Sequence, residues 1–95
     1  ELDAELFTYS AATRVRATLL AAGFFVAVGT GTGLKSDTTV ALTERAVQRR
    51  GTSALLDGRW LERWTRSDSR FPDDVVEGER SHFARLIEGH RQFAL

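Results

Sequence analysis

Residues 6–25 have the sequence LFTYSAATRVRATLLAAGFF, which indicates a strand, a helix and a second strand in close succession. Bulky β-compatible side chains predict a short buried first strand over residues 4–9. Ser10 predicts the N-cap of a helix over residues 11–22, because its hydroxyl can accept the free N–H groups of the first turn. Gly23 is placed for the left-handed end of that helix.

A third strand is predicted after this unit. Residues 24–28, FFVAV, predict the second strand, and the glycine- and threonine-rich residues 29–33 predict a turn. Residues 38–43, TTVALT, predict a third strand that runs antiparallel to the second, because a parallel crossover takes a dozen or more residues.

The helix has a predicted buried side. Val15, Leu19 and Ala22 fall on one face at helical spacing and predict the core contact. Arg14 and Arg16 are expected to face outward.

The second half of the chain is predicted to be helical. Residues 44–50 predict a loop or a short helical turn, and residues 54–66 predict a helix with Asp57 as its cap. Residues 77–93 predict a final helix. Its predicted apolar stripe consists of Phe83, Leu86, Ile87 and His90.

Composition limits the function classes. The chain has 95 residues, 13 Lys and Arg against 13 Asp and Glu, and no cysteine. Balanced charge argues against a global footprint for nucleic acid or membranes, and the lack of cysteine fits a cytoplasmic protein. No apolar run approaches the roughly 20 residues that span a bilayer. Because the chain begins with Glu1, we expect a processed form or a piece of a longer protein.

Two short motifs have a functional and a structural interpretation. Residues 29–36, GTGTGLKS, invite comparison with a phosphate loop, but Leu34 separates the last glycine from Lys35 and a β-rich run follows. A hairpin loop is therefore favoured. Trp60 and Trp64 form an aromatic ridge at i and i+4, suited either to core packing or to base stacking. Core packing is favoured.

Other polar groups give weaker indications. His82 and His90 lie eight apart on one predicted helix, whereas a helical metal pair normally sits at i and i+4. A phosphate-contacting patch and scattered solubilising charge are equally compatible with the basic residues. These residues are Arg14, Arg16, Lys35, Arg49 and Arg50.

A family pattern covers about residues 6–43. The matching positions are Thr8, Tyr9, Ser10, Ala12, Val15, Arg16, Leu19, Ala22, Gly23 and Phe24, followed by Gly31, Gly33 and Lys35. Together they resemble the closing segment of the MnmC-type S-adenosylmethionine-dependent tRNA (5-methylaminomethyl-2-thiouridylate) methyltransferases. Leu34 departs from the pattern, since some members have arginine there.

The resemblance implies an α/β fold, the C-terminal portion of a class I, Rossmann-like methyltransferase sheet with a helical tail. Residues 1–45 would be the strand–helix–strand–strand part, and residues 46–95 a helical extension. S-adenosyl-L-methionine would be the cofactor of the complete enzyme and tRNA its partner. The cofactor and catalytic motifs of the family lie upstream, so no catalytic, cofactor or metal residue is assigned here. Arg16 and Lys35 match basic positions and are candidate tRNA contacts.

We therefore expect a chain that is inactive alone and needs the missing N-terminal half, or a partner chain, to complete its sheet. In the family, a separate or fused FAD-dependent domain can prepare the aminomethyl group of the tRNA wobble uridine that is then methylated. The alternative is a small non-enzymatic α/β interaction module that docks partners on the Trp60–Trp64 ridge and the last helix.

Overall fold

The computed structural model describes residues 3–8, 10, 12–30, 37–52, 54–67 and 70–94. Its sheet has three strands, β1 (Glu5–Thr8), β2 (Phe25–Thr30) and β3 (Asp37–Leu42), in the order β1-β3-β2. The described helices are α1 (Thr13–Ala21), α2 (Glu44–Arg50), α3 (Gly58–Thr65) and α4 (Arg80–Glu88), with 3₁₀ turns at Glu77–Glu79 and Arg91–Ala94. None of these helices has the length and hydropathy to cross a membrane.

The sheet confirms the predicted antiparallel pairing of the second and third strands. β3 runs antiparallel to β2, with Val26 opposite Ala41, and also antiparallel to β1. β1 and β2 therefore run in the same direction, but β3 lies between them. Gly29 belongs to β2 and not to a turn, and a Cβ there would collide with the Thr38 hydroxyl. The rest of the predicted turn, residues 31–33, lies outside the described residues.

The start of α1 differs from the prediction. The helix begins at Thr13, and Ser10 is not its N-cap. The Ser10 hydroxyl accepts a hydrogen bond from the Ala12 N–H at 3.2 Å, and its carbonyl accepts one from the Thr39 hydroxyl at 2.7 Å. Because Ser10 is held against β3, the chain turns into the helix only after the extended residue Ala12.

The end of α1 is as predicted. Gly23 has a φ of 100°, a conformation that a side chain makes costly. Its N–H donates to the Leu20 carbonyl at 3.0 Å, and the Phe24 N–H donates to the Leu19 carbonyl at 3.1 Å. These two bonds are those of a Schellman motif, which satisfies carbonyls at the helix end and directs the chain into β2.

The buried face of α1 is shifted by one residue from the predicted face. Arg16, Ala17 and Leu20 are the buried residues of this helix. Ala22 is exposed, while Val15 and Leu19 are only partly buried at the margin of the core. One residue corresponds to about 100° of rotation, so the outward position predicted for Arg16 is wrong.

Helices pack on both faces of the sheet. Successive side chains of a strand point to opposite faces, so Val26 faces α1 while Phe25 and Ala27 face α2. The core on the α1 face consists of Ala17, Leu20, Val26, Leu56, Trp60, Trp64 and Ile87. The core on the α2 face consists of Phe25, Ala27, Val40, Leu42, Ala46 and Val47.

The helical tail departs from prediction in three places, namely residues 44–50, the start of α3 and the last helix. Residues 44–50 form a full helix, capped by the Thr43 side chain, which accepts from the Ala46 N–H. α3 begins at Gly58, and the predicted Asp57 cap is confirmed by bonds from the N–H groups of Arg59 and Trp60 at 3.1 and 3.2 Å. The predicted helix over residues 77–93 is divided into α4 and two flanking 3₁₀ turns.

The two tryptophans form part of the core, as favoured from the sequence. Trp64 is 1 % exposed, and Trp60 is also buried. The two indoles stack at 6.5 Å, and Trp60 stacks on Phe93 at 6.1 Å. The ridge proposed as a docking or base-stacking surface is thus covered by the chain itself.

Candidate functional site

The outer edge of β1 is the candidate functional site. β3 occupies the other side of this strand, and none of the described residues pairs with the outer side. The Thr43 N–H donates to the Ala4 carbonyl at 3.1 Å. Because hydrogen-bonded and non-hydrogen-bonded pairs alternate along an antiparallel ladder, this bond determines which residues of β1 bond to β3. Accordingly, Glu5 and Phe7 direct their N–H and C=O groups to the open edge.

The two central side chains of β1, Leu6 and Phe7, are apolar, lie on opposite faces of the sheet and are exposed, contrary to the predicted burial of this strand. Leu6 is 56 % exposed and Phe7 is 64 % exposed. Their partners in β3, Ala41 and Val40, are buried. Strands that are apolar on both faces are typical of the interior of α/β sheets, where layers of helices cover both sides. β1 therefore has the character of an interior strand at the edge of this sheet.

The opposite edge of the sheet is closed by the chain itself. The Val28 N–H donates to the Ala54 carbonyl, and the Leu56 N–H donates to the Val26 carbonyl, both at 3.0 Å. This short segment lies beside β2 through an isolated antiparallel bridge between Ala27 and Leu55. Of the two edges, β1 is the one that leaves backbone groups for another strand.

The buried side chain of Gln92 completes this closure. Its Oε1 accepts from the Val26 N–H at 2.8 Å. Its Nε2 donates to the carbonyls of Val26 and Leu56, each at 3.0 Å. The side-chain amide of Gln92 thus makes hydrogen bonds to Val26 that the backbone of a neighbouring strand would otherwise make. No sequence motif indicated this role, because a single glutamine near Phe93 has no distinguishing pattern.

His90 positions the turn that contains Gln92. The Gln92 N–H donates to Nδ1 of His90 at 3.1 Å, so Nε2 has the proton that it donates to the Phe24 carbonyl at 2.7 Å. Burial lowers the pKa of His90, and the nearby Arg91 charge acts in the same direction. Both effects favour the neutral imidazole, while the hydrogen bond to the Phe24 carbonyl acts in the opposite direction and is outweighed. His82 is exposed, and no cluster of potential metal ligands exists within the described residues.

At the carboxyl end of β1, Arg16 has a structural role, because its side chain bonds to β3. Its Nε donates to the Thr39 hydroxyl at 2.8 Å, and Nη2 donates to the Thr38 carbonyl at 3.3 Å. With 9 % of Arg16 exposed, the guanidinium links α1 to β3 and offers little surface to a tRNA. Lys35, the other candidate tRNA contact, and most of the glycine-rich loop lie outside the described residues.

The described arginines of the predicted basic patch lie in separate places. Arg49 pairs with Asp3 and Glu5 at 3.0 and 2.6 Å, and Arg50 pairs with Glu5 at 3.4 Å. Arg49 lowers the pKa of Asp3 through this pair. These contacts lie at the start of β1, whereas Arg16 lies at its other end.

The described residues do not fit S-adenosyl-L-methionine. Open α/β sheets bind nucleotide-like cofactors at the carboxyl ends of their strands, with a glycine-rich turn and an acidic ribose ligand. At that end of β1, the side chains of Arg16 and Thr39 bond to each other and to the backbone. No carboxylate lies among these contacts, so the described residues at this end of β1 do not supply the groups that would hold the cofactor.

Comparison with known proteins finds one family model that matches part of the chain. Residues 1–44 match the family model described as S-adenosyl-L-methionine-dependent methyltransferase. No curated protein and no solved structure matches the chain. The matched residues contain β1, α1, β2 and β3, and end at the first residue of α2. The sheet and its first helix are thus similar to a segment of the S-adenosyl-L-methionine-dependent methyltransferases.

Proposed function

We propose that this chain is the carboxyl-terminal part of an S-adenosyl-L-methionine-dependent methyltransferase and that β1 lies inside its complete sheet. The observation that supports this most is the open edge of β1. Leu6 and Phe7 are exposed on opposite faces of a strand within the segment that matches the family. An added strand with its own helices would cover both side chains and pair the backbone of Glu5 and Phe7.

The polypeptide that pairs with β1 would provide the cofactor site. It is either an N-terminal half of the same protein or a partner chain. Cofactor sites in such sheets lie at the carboxyl ends of strands near the point where the strand order reverses. The described residues would then support this site by covering the outer edge of the sheet at β2. The chain would be inactive alone.

The substrate that we propose is the aminomethyl nitrogen of a modified wobble uridine in tRNA. This part rests on the resemblance of residues 8–35 to the MnmC-type enzymes. Methyl transfer to such an amine needs the nitrogen in line with the methyl group, so positioning would be the main catalytic contribution.

Titration calorimetry with S-adenosyl-L-methionine tests the proposal. We expect no saturable heat with the 95-residue chain, because the described residues do not form the cofactor site. The complete product of the gene, or the chain with its partner, should bind the cofactor and methylate tRNA that contains the aminomethyl uridine. Saturable micromolar binding to the 95-residue chain would overturn the proposed division of the site. Cofactor binding without tRNA methylation would overturn only the proposed substrate.

A further inference from the structure

Three arginines from three parts of the chain line one polar surface pocket. Arg14 lies on α1, Arg70 in the segment after α3, and Arg80 at the first position of α4. Phe71 and Asp73 lie between them in the same pocket. We call this the Arg14–Arg70–Arg80 pocket, and none of its described lining residues belongs to β1.

The frame of the pocket is anchored in the core. The Phe71 ring meets Trp64 edge-on at 6.1 Å and Phe83 at 5.7 Å. The indole N–H of Trp64 donates to the Arg70 carbonyl at 3.1 Å. The backbone that presents Arg70 and Phe71 is therefore held by a buried tryptophan.

Two of the guanidinium groups share one aromatic ring. The Cζ atoms of Arg70 and Arg80 lie 5.2 and 5.3 Å from the Phe71 centroid, within the range of cation–π contacts. Neither arginine forms an ion pair with a carboxylate of the described residues. The ring holds both cations in place and leaves their N–H donors available.

The charge in the pocket is unbalanced. Arg14 pairs with Asp73 at 3.2 Å, but the Asp73 side chain is 91 % exposed, so solvent screens this pair. Asp73 is the one carboxylate among the described lining residues, against three arginines. Like charges that line one pocket repel each other, and an anion bound among them would be attracted.

The chemistry of the donors favours phosphate over a carboxylate. Each guanidinium is a planar fork that can donate two parallel hydrogen bonds, and phosphate offers acceptor oxygens in several directions. Three forks from α1, from the segment after α3 and from α4 suit such an acceptor better than a planar carboxylate does. We propose that the Arg14–Arg70–Arg80 pocket binds a phosphate group, and that in the complete enzyme this is a phosphate of the RNA backbone. The RNA identity rests on the proposed function, whereas the phosphate site does not.

The indole N–H signals of the two tryptophans report on this site in an NMR titration. Inorganic phosphate should shift the Trp64 signal saturably, since Trp64 bonds to Arg70, while sodium chloride at matched ionic strength should not. A Trp60→Phe variant assigns the signals. Arg70→Gln and Arg80→Gln should each weaken phosphate binding about tenfold, the effect of one lost charge-assisted interaction. Arg63→Gln, an exposed matched control on α3, should not weaken it.

A second titration, with an anticodon stem-loop RNA, separates the two sources of phosphate. Binding that is tighter than that of inorganic phosphate, and that weakens in both pocket variants, supports the RNA backbone. Binding of phosphate without tighter binding of RNA supports the phosphate site and overturns the RNA assignment. An unshifted Trp64 signal, or equal weakening in Arg63→Gln, overturns the phosphate site. These titrations do not require the cofactor. A negative result would therefore count against the phosphate site without counting against the proposed methyl transfer.

Discussion

Trp64→Ala is expected to cost the chain about 3–5 kcal/mol of unfolding free energy, the range for removing a buried large aromatic. The indole is almost fully buried and touches both Trp60 and Phe71. Its N–H also holds the Arg70 carbonyl. Small domains have total stabilities of about 5–15 kcal/mol, so this variant should be largely or partly unfolded at room temperature.

Urea unfolding followed by circular dichroism measures this loss. Trp64→Phe keeps most of the ring volume and should retain a cooperative transition at lower urea. Leu86→Ala on α4 serves as the surface control, because Leu86 is 41 % exposed, and it should lose much less stability. Equal midpoints for Trp64→Ala and Leu86→Ala would contradict the described core.

Gln92→Leu is expected to be the second most damaging change, with a loss of about 2–3 kcal/mol from buried polar groups left without partners. The leucine cannot accept from the Val26 N–H or donate to the Leu56 carbonyl. The Val26 carbonyl keeps its bond from the Leu56 N–H, which limits the loss. The β2 edge should therefore weaken without losing its strand.

Gln48→Leu provides the matched control for this change. Gln48 is exposed on α2, so the same substitution should alter the unfolding midpoint very little. Faster amide exchange at Val26 in the Gln92 variant, but not in the Gln48 variant, would locate the effect. If both variants have the same stability, the side chain of Gln92 does not close the edge.

The parts of the fold that follow from local chemistry could be predicted. Gly23 ends α1 because a positive φ is needed there, and Asp57 begins α3 because its carboxylate caps two N–H groups. The antiparallel β2–β3 pair follows from the short connection between them. Each of these features depends on a few neighbouring residues.

The parts that depend on distant contacts could not be predicted. Polar and apolar residues alternate irregularly along α1, which leaves no strong apolar face, so its orientation is set by what packs against it. Arg16 is buried because Thr39, on another element, accepts its Nε–H. Gln92 likewise acquires its role from Val26 in β2. These contacts join residues between 23 and 66 positions apart in the chain.

The candidate sites also differ in whether they depend on neighbouring residues or on distant contacts. The sequence resemblance was to MnmC-type methyltransferases over residues 6–43, and the matching family model, that of S-adenosyl-L-methionine-dependent methyltransferases in general, covers residues 1–44. The open edge was expected for a strand–helix–strand unit, but its position at β1 required the strand order. The Arg14–Arg70–Arg80 pocket could not be foreseen, because its arginines are far apart in sequence and only the packing of Phe71 brings two of them together.

Amide hydrogen exchange at Glu5 and Phe7 tests the open-edge account most directly. It should be recorded on the monomeric 95-residue chain and on the complete product of its gene. We expect Glu5 and Phe7 to exchange like exposed peptide groups in the chain, while Leu6 and Thr8 exchange more slowly. In the complete product all four should be protected. Protection of Glu5 and Phe7 in the isolated monomer, or their free exchange in the complete product, would contradict an interior position for β1.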